Sequence, residues 1–162
     1  MLFSRFVRLF EELSLDVDGI EFEHDYQSFL GDGAFLIDGA MQVVSYLHDH
    51  YDLYIVTNGV ASTQHKRLTA SGLRPFMKDV FISESIGYQK PDVRFFEECF
   101  KEIKDLDPDK TMIIGDTLTS DILGGNNAGI MTCWYNPGGL ENTTAAVCDI
   151  EIRHLNDLYE FL

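Results

Sequence analysis

TMIIGDTLTSD, residues 111–121, joins an apolar β-run to a Gly-Asp turn and places a second carboxylate, Asp121, shortly beyond the first, Asp116. Met112, Ile113 and Ile114 read as a buried strand, and Thr119, Ser120 and Asp121 supply helix-starting residues. Asp116 then sits at the carboxyl end of a strand, where open α/β sheets bind their ligands. A hard cation such as Mg²⁺ prefers one or two carboxylates completed by water and phosphate oxygens. The competing reading makes Asp116 and Asp121 ordinary turn and cap residues.

Two other segments end in the same manner. Asp52-Leu53-Tyr54-Ile55-Val56-Thr57-Asn58-Gly59 is an apolar run closed by a hydroxyl, an amide and a glycine, groups that can donate to a phosphate. Lys90-Pro91-Asp92 follows Gly87 and opens an amphipathic segment, so the lysine precedes a helix whose first N–H groups also favour an anion. Singly, Thr57 could be a strand-end turn and Lys90 a solvated charge. Three such ends in this order argue for one site.

At these residues the chain resembles the haloacid dehalogenase superfamily, whose members are mostly Mg²⁺-dependent phosphohydrolases. Its second motif would be Thr57-Asn58, its third Lys90-Pro91 and its fourth Gly115-Asp116 through Asp121. QHKRLTASGL from Gln64, ISESIGYQKP from Ile82, GDTLTSDILGGNNAG from Gly115 and Thr132-Cys133-Trp134 look most like the bacterial pyrimidine 5′-nucleotidase subgroup. The resemblance covers about residues 35–162. It implies a Rossmann-like parallel α/β sheet with flanking helices, in which Thr57, Asn58 and Gly59 bind phosphate oxygens. Lys90 would stabilise the nucleophile and the transferring phosphoryl group. Asp116 would coordinate Mg²⁺, and Asp121 would hold the metal's water shell or Lys90. The implied substrate is a phosphorylated small molecule such as a pyrimidine nucleoside monophosphate.

Such enzymes begin with a strand ending in Asp-x-Asp, the first aspartate the nucleophile and the second the acid/base, and no such pair precedes Thr57 in a plausible strand. Residues 1–30 instead read as helical, with Leu2, Phe3, Phe6, Val7, Phe10 and Leu13 near helical spacing. By analogy residues 1–34 are the latter part of a helical cap and residues 35–162 the core, with Met1 an internal methionine of a longer product. Phe35-Leu36-Ile37-Asp38 superficially resembles a strand end, but Ala40 stands where a second carboxylate belongs; Asp38 is expected to cap the following helix. Enzymatic accelerations of phosphate-monoester hydrolysis reach roughly 10²¹, whereas a triad enzyme stripped of its nucleophilic machinery keeps only about 10³ to 10⁴ over water. The chain by itself is therefore expected to be inactive. A non-catalytic phosphate or nucleotide binder, or a protein-interaction module, is the alternative. In the family the absent strand lies between those ending at Thr57 and Asp116. Its neighbours should then close on each other, or another segment or chain should fill the gap.

Composition is compatible with this. The 162 residues carry 12 basic and 27 acidic side chains, a formal net charge of −15, which argues against nucleic-acid polymers and anionic membranes. The N-terminus, with Arg5 and Arg8 followed by Glu11 and Glu12, reads as neither secretory signal nor membrane span. Cys99, Cys133 and Cys148 suggest unpaired thiols in a reducing cytoplasm. Helices are expected over 62–71, 92–104 and briefly after Asp121, with Gly124-Gly125 permitting close packing. Strands are expected at 52–57, 79–83, 111–115 and 131–135 and near 150–152, before a last helix. His48, His50, His24 and His65 read as solvated, and Trp134 as core or pocket mouth.

Overall fold

The computed structural model describes residues 4–162, so Met1, Leu2 and Phe3 lie outside the described residues. Among the described residues seven α-helices run in chain order as α1 (Arg5–Glu12), α2 (Gly19–Asp32), α3 (Ala40–His48), α4 (Ala61–Ala70), α5 (Ser83–Ile86), α6 (Val93–Glu102) and α7 (Leu123–Ala128). Five strands alternate with them: β1 (Tyr54–Thr57), β2 (Asp79–Ile82), β3 (Met112–Gly115), β4 (Met131–Tyr135) and β5 (Ile150–Ile152). A 3₁₀ helix, Leu155–Glu160, follows β5. Every strand pair is parallel, and helices cover both faces.

The strands form two sheets, β1–β2 and β3–β4–β5, rather than one. Their neighbouring edges do not close on each other. They are bridged from above and below instead. On one face α6 turns Phe95, Phe96 and Cys99 onto Phe81 of β2 and Ile113 of β3 in one cluster. On the other, Val43 and Leu47 of α3 pack with Cys133, Ile152 and Leu158. Each fully buried aromatic or aliphatic side chain of these clusters contributes about 1.5–3 kcal/mol. Between the sheets lies a cavity of about 1030 Å³ whose walls include Tyr54, Val56, Met112 and Ile114. Ile114 remains 39% exposed, so water reaches that edge and lowers the cost of its unpaired backbone.

Two expectations need correction. The N-terminal helical stretch is two helices, because Leu13–Asp18 breaks the periodicity, Ser14 has a φ of 53° and Asp18 caps α2 by accepting from the Ile20 and Glu21 N–H groups. Asp38 does not cap α3: Gly39, at a φ of 81°, holds the N-cap position, with no side-chain cap bond. The histidines of the His48-Asp49-His50 turn are exposed, as expected, and each also meets a carbonyl. His48 Nδ1 lies 3.0 Å from the Phe76 carbonyl and His50 Nδ1 2.7 Å from that of Tyr46.

Within the N-terminal hairpin Phe22 meets Phe6 and Phe10 edge-on, at 4.7 and 5.2 Å between centroids. Glu23 is fully buried there. It accepts from Arg5 Nε and Nη2 at 2.7 and 2.8 Å and from Gln27 Nε2 at 2.8 Å. Burial pushes its carboxyl upward, but these donors outweigh that and hold it below the ordinary glutamate value. Gln27 also takes the Thr63 hydroxyl at 2.9 Å, joining α2 to α4. No helix among the described residues is long and apolar enough to cross a membrane.

Candidate active site

Lys90 and Asp121 form the centre of the site. Lys90 Nζ donates to Asp121 Oδ1 at 2.7 Å and to the Val56 carbonyl at 2.7 Å, although the lysine is only 8% exposed. A buried ammonium needs this pairing, because an uncompensated charge in the interior is costly. Asp121 arrives there through a π-helical turn, Leu118–Ile122, immediately after β3. Its Oδ2 accepts the Thr117 N–H at 3.1 Å, so both carboxylate oxygens are engaged. Gly115 makes the approach possible: a Cβ there would stand 2.6 Å from Asp121 Oδ2.

Backbone contacts hold the lysine from either side. Asn58 Nδ2 donates to the Lys90 carbonyl and the Lys90 N–H donates to Asn58 Oδ1, each at 2.9 Å. Asn127 of α7 donates to the Pro91 carbonyl at 2.9 Å, and the Lys90–Pro91 peptide is cis. The amide of Asn58 thus clasps the turn that presents Lys90.

Thr57 closes β1. Gln64 Nε2 donates to Thr57 Oγ1, which leaves the threonine proton for another acceptor. The Gly59 N–H donates instead to Ser83 Oγ at 3.1 Å, and the Ala61 N–H at the start of α4 to Glu84 at 2.8 Å. These bonds fix the loop after β1 on α5. Asp116 is exposed at the end of β3, its carbonyl held by Trp134 Nε1 at 3.1 Å and its carboxylate 3.4 Å from the Thr117 hydroxyl.

The structure therefore brings Asn58, Lys90 and Asp121 into hydrogen-bonded contact at the carboxyl ends of the strands, with Thr57 on β1 and Asp116 on β3 at the same ends. Asp38 is exposed in the turn before α3, and the bonds of Lys90 go elsewhere. Sequence reading missed Gln64, Ser83 and Asn127. Each is a polar group whose role depends on a partner far along the chain, Gln64 excepted: it lies within the first turns of α4, and its position beside a strand-end threonine was the one available signal.

No three His, Cys, Asp or Glu side chains gather into a metal cage among the described residues. The donor set fits a cation carried by one exposed carboxylate, Asp116, and completed by water and phosphate oxygens, since Asp121 already receives two N–H donors. The thiols stand apart from this chemistry. Burial pushes Cys99 up to about 12 and Cys133 up to about 11, keeping both protonated and inert.

Comparison with known proteins gives the family and the fold. The family model for haloacid dehalogenase-like hydrolases matches residues 4–129. The chain is 47% identical over 159 residues to the protein named HAD-hydrolase YfnB of Bacillus subtilis strain 168, covering 98% of this chain and 68% of that protein. It is 43% identical over 160 residues to the pyrimidine 5′-nucleotidase PynA of Streptococcus pneumoniae, again covering 98% and 68%. A crystal structure of YfnB described as bound to magnesium superposes with a TM-score of 0.92 at 46% identity, over 99% of this chain and 71% of that one.

Proposed function

The chain belongs to the haloacid dehalogenase-like hydrolases, and from that membership we propose that it carries the phosphate-holding half of a Mg²⁺-dependent phosphomonoesterase for pyrimidine nucleoside 5′-monophosphates. The observation that carries this reading is the buried Lys90–Asp121 pair, clasped by Asn58 where β1 and β3 end. Nζ has three protons. Val56 and Asp121 take two, and the third is available to a phosphoryl oxygen or an attacking carboxylate. The Thr57 hydroxyl and the Asn58 N–H supply neutral donors. Preorganised charge of this kind is usually the largest catalytic contribution in such reactions.

Asp116 is the direct ligand in this proposal, and Asp121 works by holding Lys90 and the Thr117 backbone. The cation, when bound, would neutralise phosphate oxygens. Lys90 orients the phosphoryl group and stabilises its charge as the bond to the nucleoside oxygen breaks. The attacking carboxylate is not one of the groups that meet Lys90 here. We therefore assign the chain binding without turnover, with α1 and α2 as the portion of a helical cap and residues 35–162 as the core. Its free thiols suit a reducing, cytoplasmic setting.

Calorimetry with inorganic phosphate and Mg²⁺, run beside a phosphate-release assay on pyrimidine 5′-monophosphates, tests the assignment. Saturable binding weakened at least tenfold by Lys90→Ala, without release, is expected. Release that disappears in Lys90→Ala would place the attacking carboxylate within this chain, with Asp38 the first to replace. Absence of both binding and release would leave the α/β core as an interaction module and sink the phosphoesterase reading.

A further inference from the structure

A threonine hydroxyl carries one proton and two lone pairs, so it can rotate either to give or to receive a hydrogen bond. Elsewhere in the chain the buried and half-buried threonines give. Thr63 donates to Gln27 Oε1 at 2.9 Å, Thr111 to the Asp107 carbonyl at 2.7 Å and Thr132 to Asp149 Oδ2 at 2.8 Å. At Thr57 the bond runs the other way, because its Oγ1 receives a proton of Gln64 Nε2. An amide N–H cannot accept in return, so the single Thr57 proton is turned away from Gln64.

The amide is held in that attitude by its surroundings. The Gln64 backbone N–H bonds to the Val60 carbonyl at 3.0 Å, and the adjacent Thr63 ties the same turn to Gln27 of α2. The start of α4 is fastened to α5 through the Ala61 N–H on Glu84 at 2.8 Å and the Gly59 N–H on Ser83 Oγ at 3.1 Å. Gly59 also leaves the room that Gln64 occupies. A Cβ there would stand 3.2 Å from both Cγ and Nε2 of Gln64, closer than ordinary van der Waals contact.

Resting on the phosphate-holding role assigned to Thr57, we propose that Gln64 is a positioning residue that fixes the Thr57 hydroxyl as an obligate donor and so selects anions whose facing oxygen carries no proton. The remaining Nζ proton of Lys90 makes the same demand, since Val56 and Asp121 take the other two. A fully ionised phosphoryl group meets both donors with acceptor oxygens. A protonated oxygen would set proton against proton and leave one donor unpaired, which is the costly outcome. Gly59, whose own N–H is engaged by Ser83, serves this arrangement through the space it leaves.

Calorimetry on the intact chain with Mg²⁺ compares two probes: inorganic phosphate, which can keep a proton, and sulfate, which cannot at neutral pH. Gln64→Met retains the length of the side chain and loses the donor. Gln64→Glu retains the shape and, when ionised, takes the Thr57 proton, leaving the hydroxyl to receive one. Expected is an about fivefold loss of phosphate binding in Gln64→Met, the scale of one hydrogen bond, with no further loss when that change is added to Thr57→Val. In Gln64→Glu sulfate should fall about tenfold further than phosphate, because only phosphate can supply the missing proton. That split should largely close when Gln64→Glu is combined with Thr57→Val, where the added charge remains and the hydroxyl does not. Additive losses for Thr57→Val and Gln64→Met would overturn the proposal, as would an unchanged preference between the two anions in Gln64→Glu. Sulfate held as tightly by Gln64→Glu as by the original chain would overturn it too, since the side-chain oxygen would then face Thr57. An original chain that takes up neither anion would overturn this assignment together with the phosphoesterase reading, whereas binding indifferent to Gln64 overturns this assignment alone.

Discussion

A buried ion pair has a characteristic asymmetry. Removing one partner leaves an uncompensated charge at a cost of about 3–5 kcal/mol, whereas replacing both by apolar groups is often neutral. For Lys90 and Asp121, the single changes Lys90→Met and Asp121→Leu should each destabilise the chain by about 3–5 kcal/mol. The double variant should recover much of that loss in urea unfolding, while phosphate binding stays abolished in all three. Additive losses in the double variant would contradict the pairing. The residue scale is also where the sequence was most informative about the site and least about its wiring. Lys90, Asp116 and Asp121 stood out because chemistry restricts which residue types can end a strand beside an anion. The clasp of Asn58 on the Lys90 backbone was invisible, because it spans chain positions that only the fold unites.

Among the elements, the α1–α2 hairpin has the clearest response to pH. Glu23 sits below its ordinary carboxylate range, so its contribution is full above the unfolded value and fades as pH falls through the lower folded one. Lowering pH from 6 to 3 should loosen α1 and α2 before the sheets, seen as early amide exchange across residues 5–32. Glu23→Gln should flatten that dependence; an unchanged acid profile in the variant would remove Glu23 from the explanation. Strand positions were largely legible, because apolar β-branched runs bounded by turn residues have few other readings. Gly125 likewise fulfilled the expectation of close packing, a Cβ there standing 2.7 Å from Thr132 Cγ2. The break between α1 and α2 went unread, although Asp18 ahead of Gly19 and Ile20 was a usable cap signal. The separation into two sheets could be posed as a gap but not decided, since strand pairing partners are set by tertiary packing from α3 and α6.

For the whole molecule, the same open strand edges have a colloidal consequence. Unpaired edges are templates for association between identical chains, and a strong net charge of one sign keeps such chains apart. The charge of −15 therefore acts as a solubility guard on an architecture that would otherwise be sticky. That guard vanishes near the sequence isoelectric point of about 4.5. Light scattering should rise steeply as pH approaches that value and at high salt, and fall again in more acidic solution once the charge reverses. Scattering that stays flat through the isoelectric point would mean that the edges are shielded by something other than mutual repulsion.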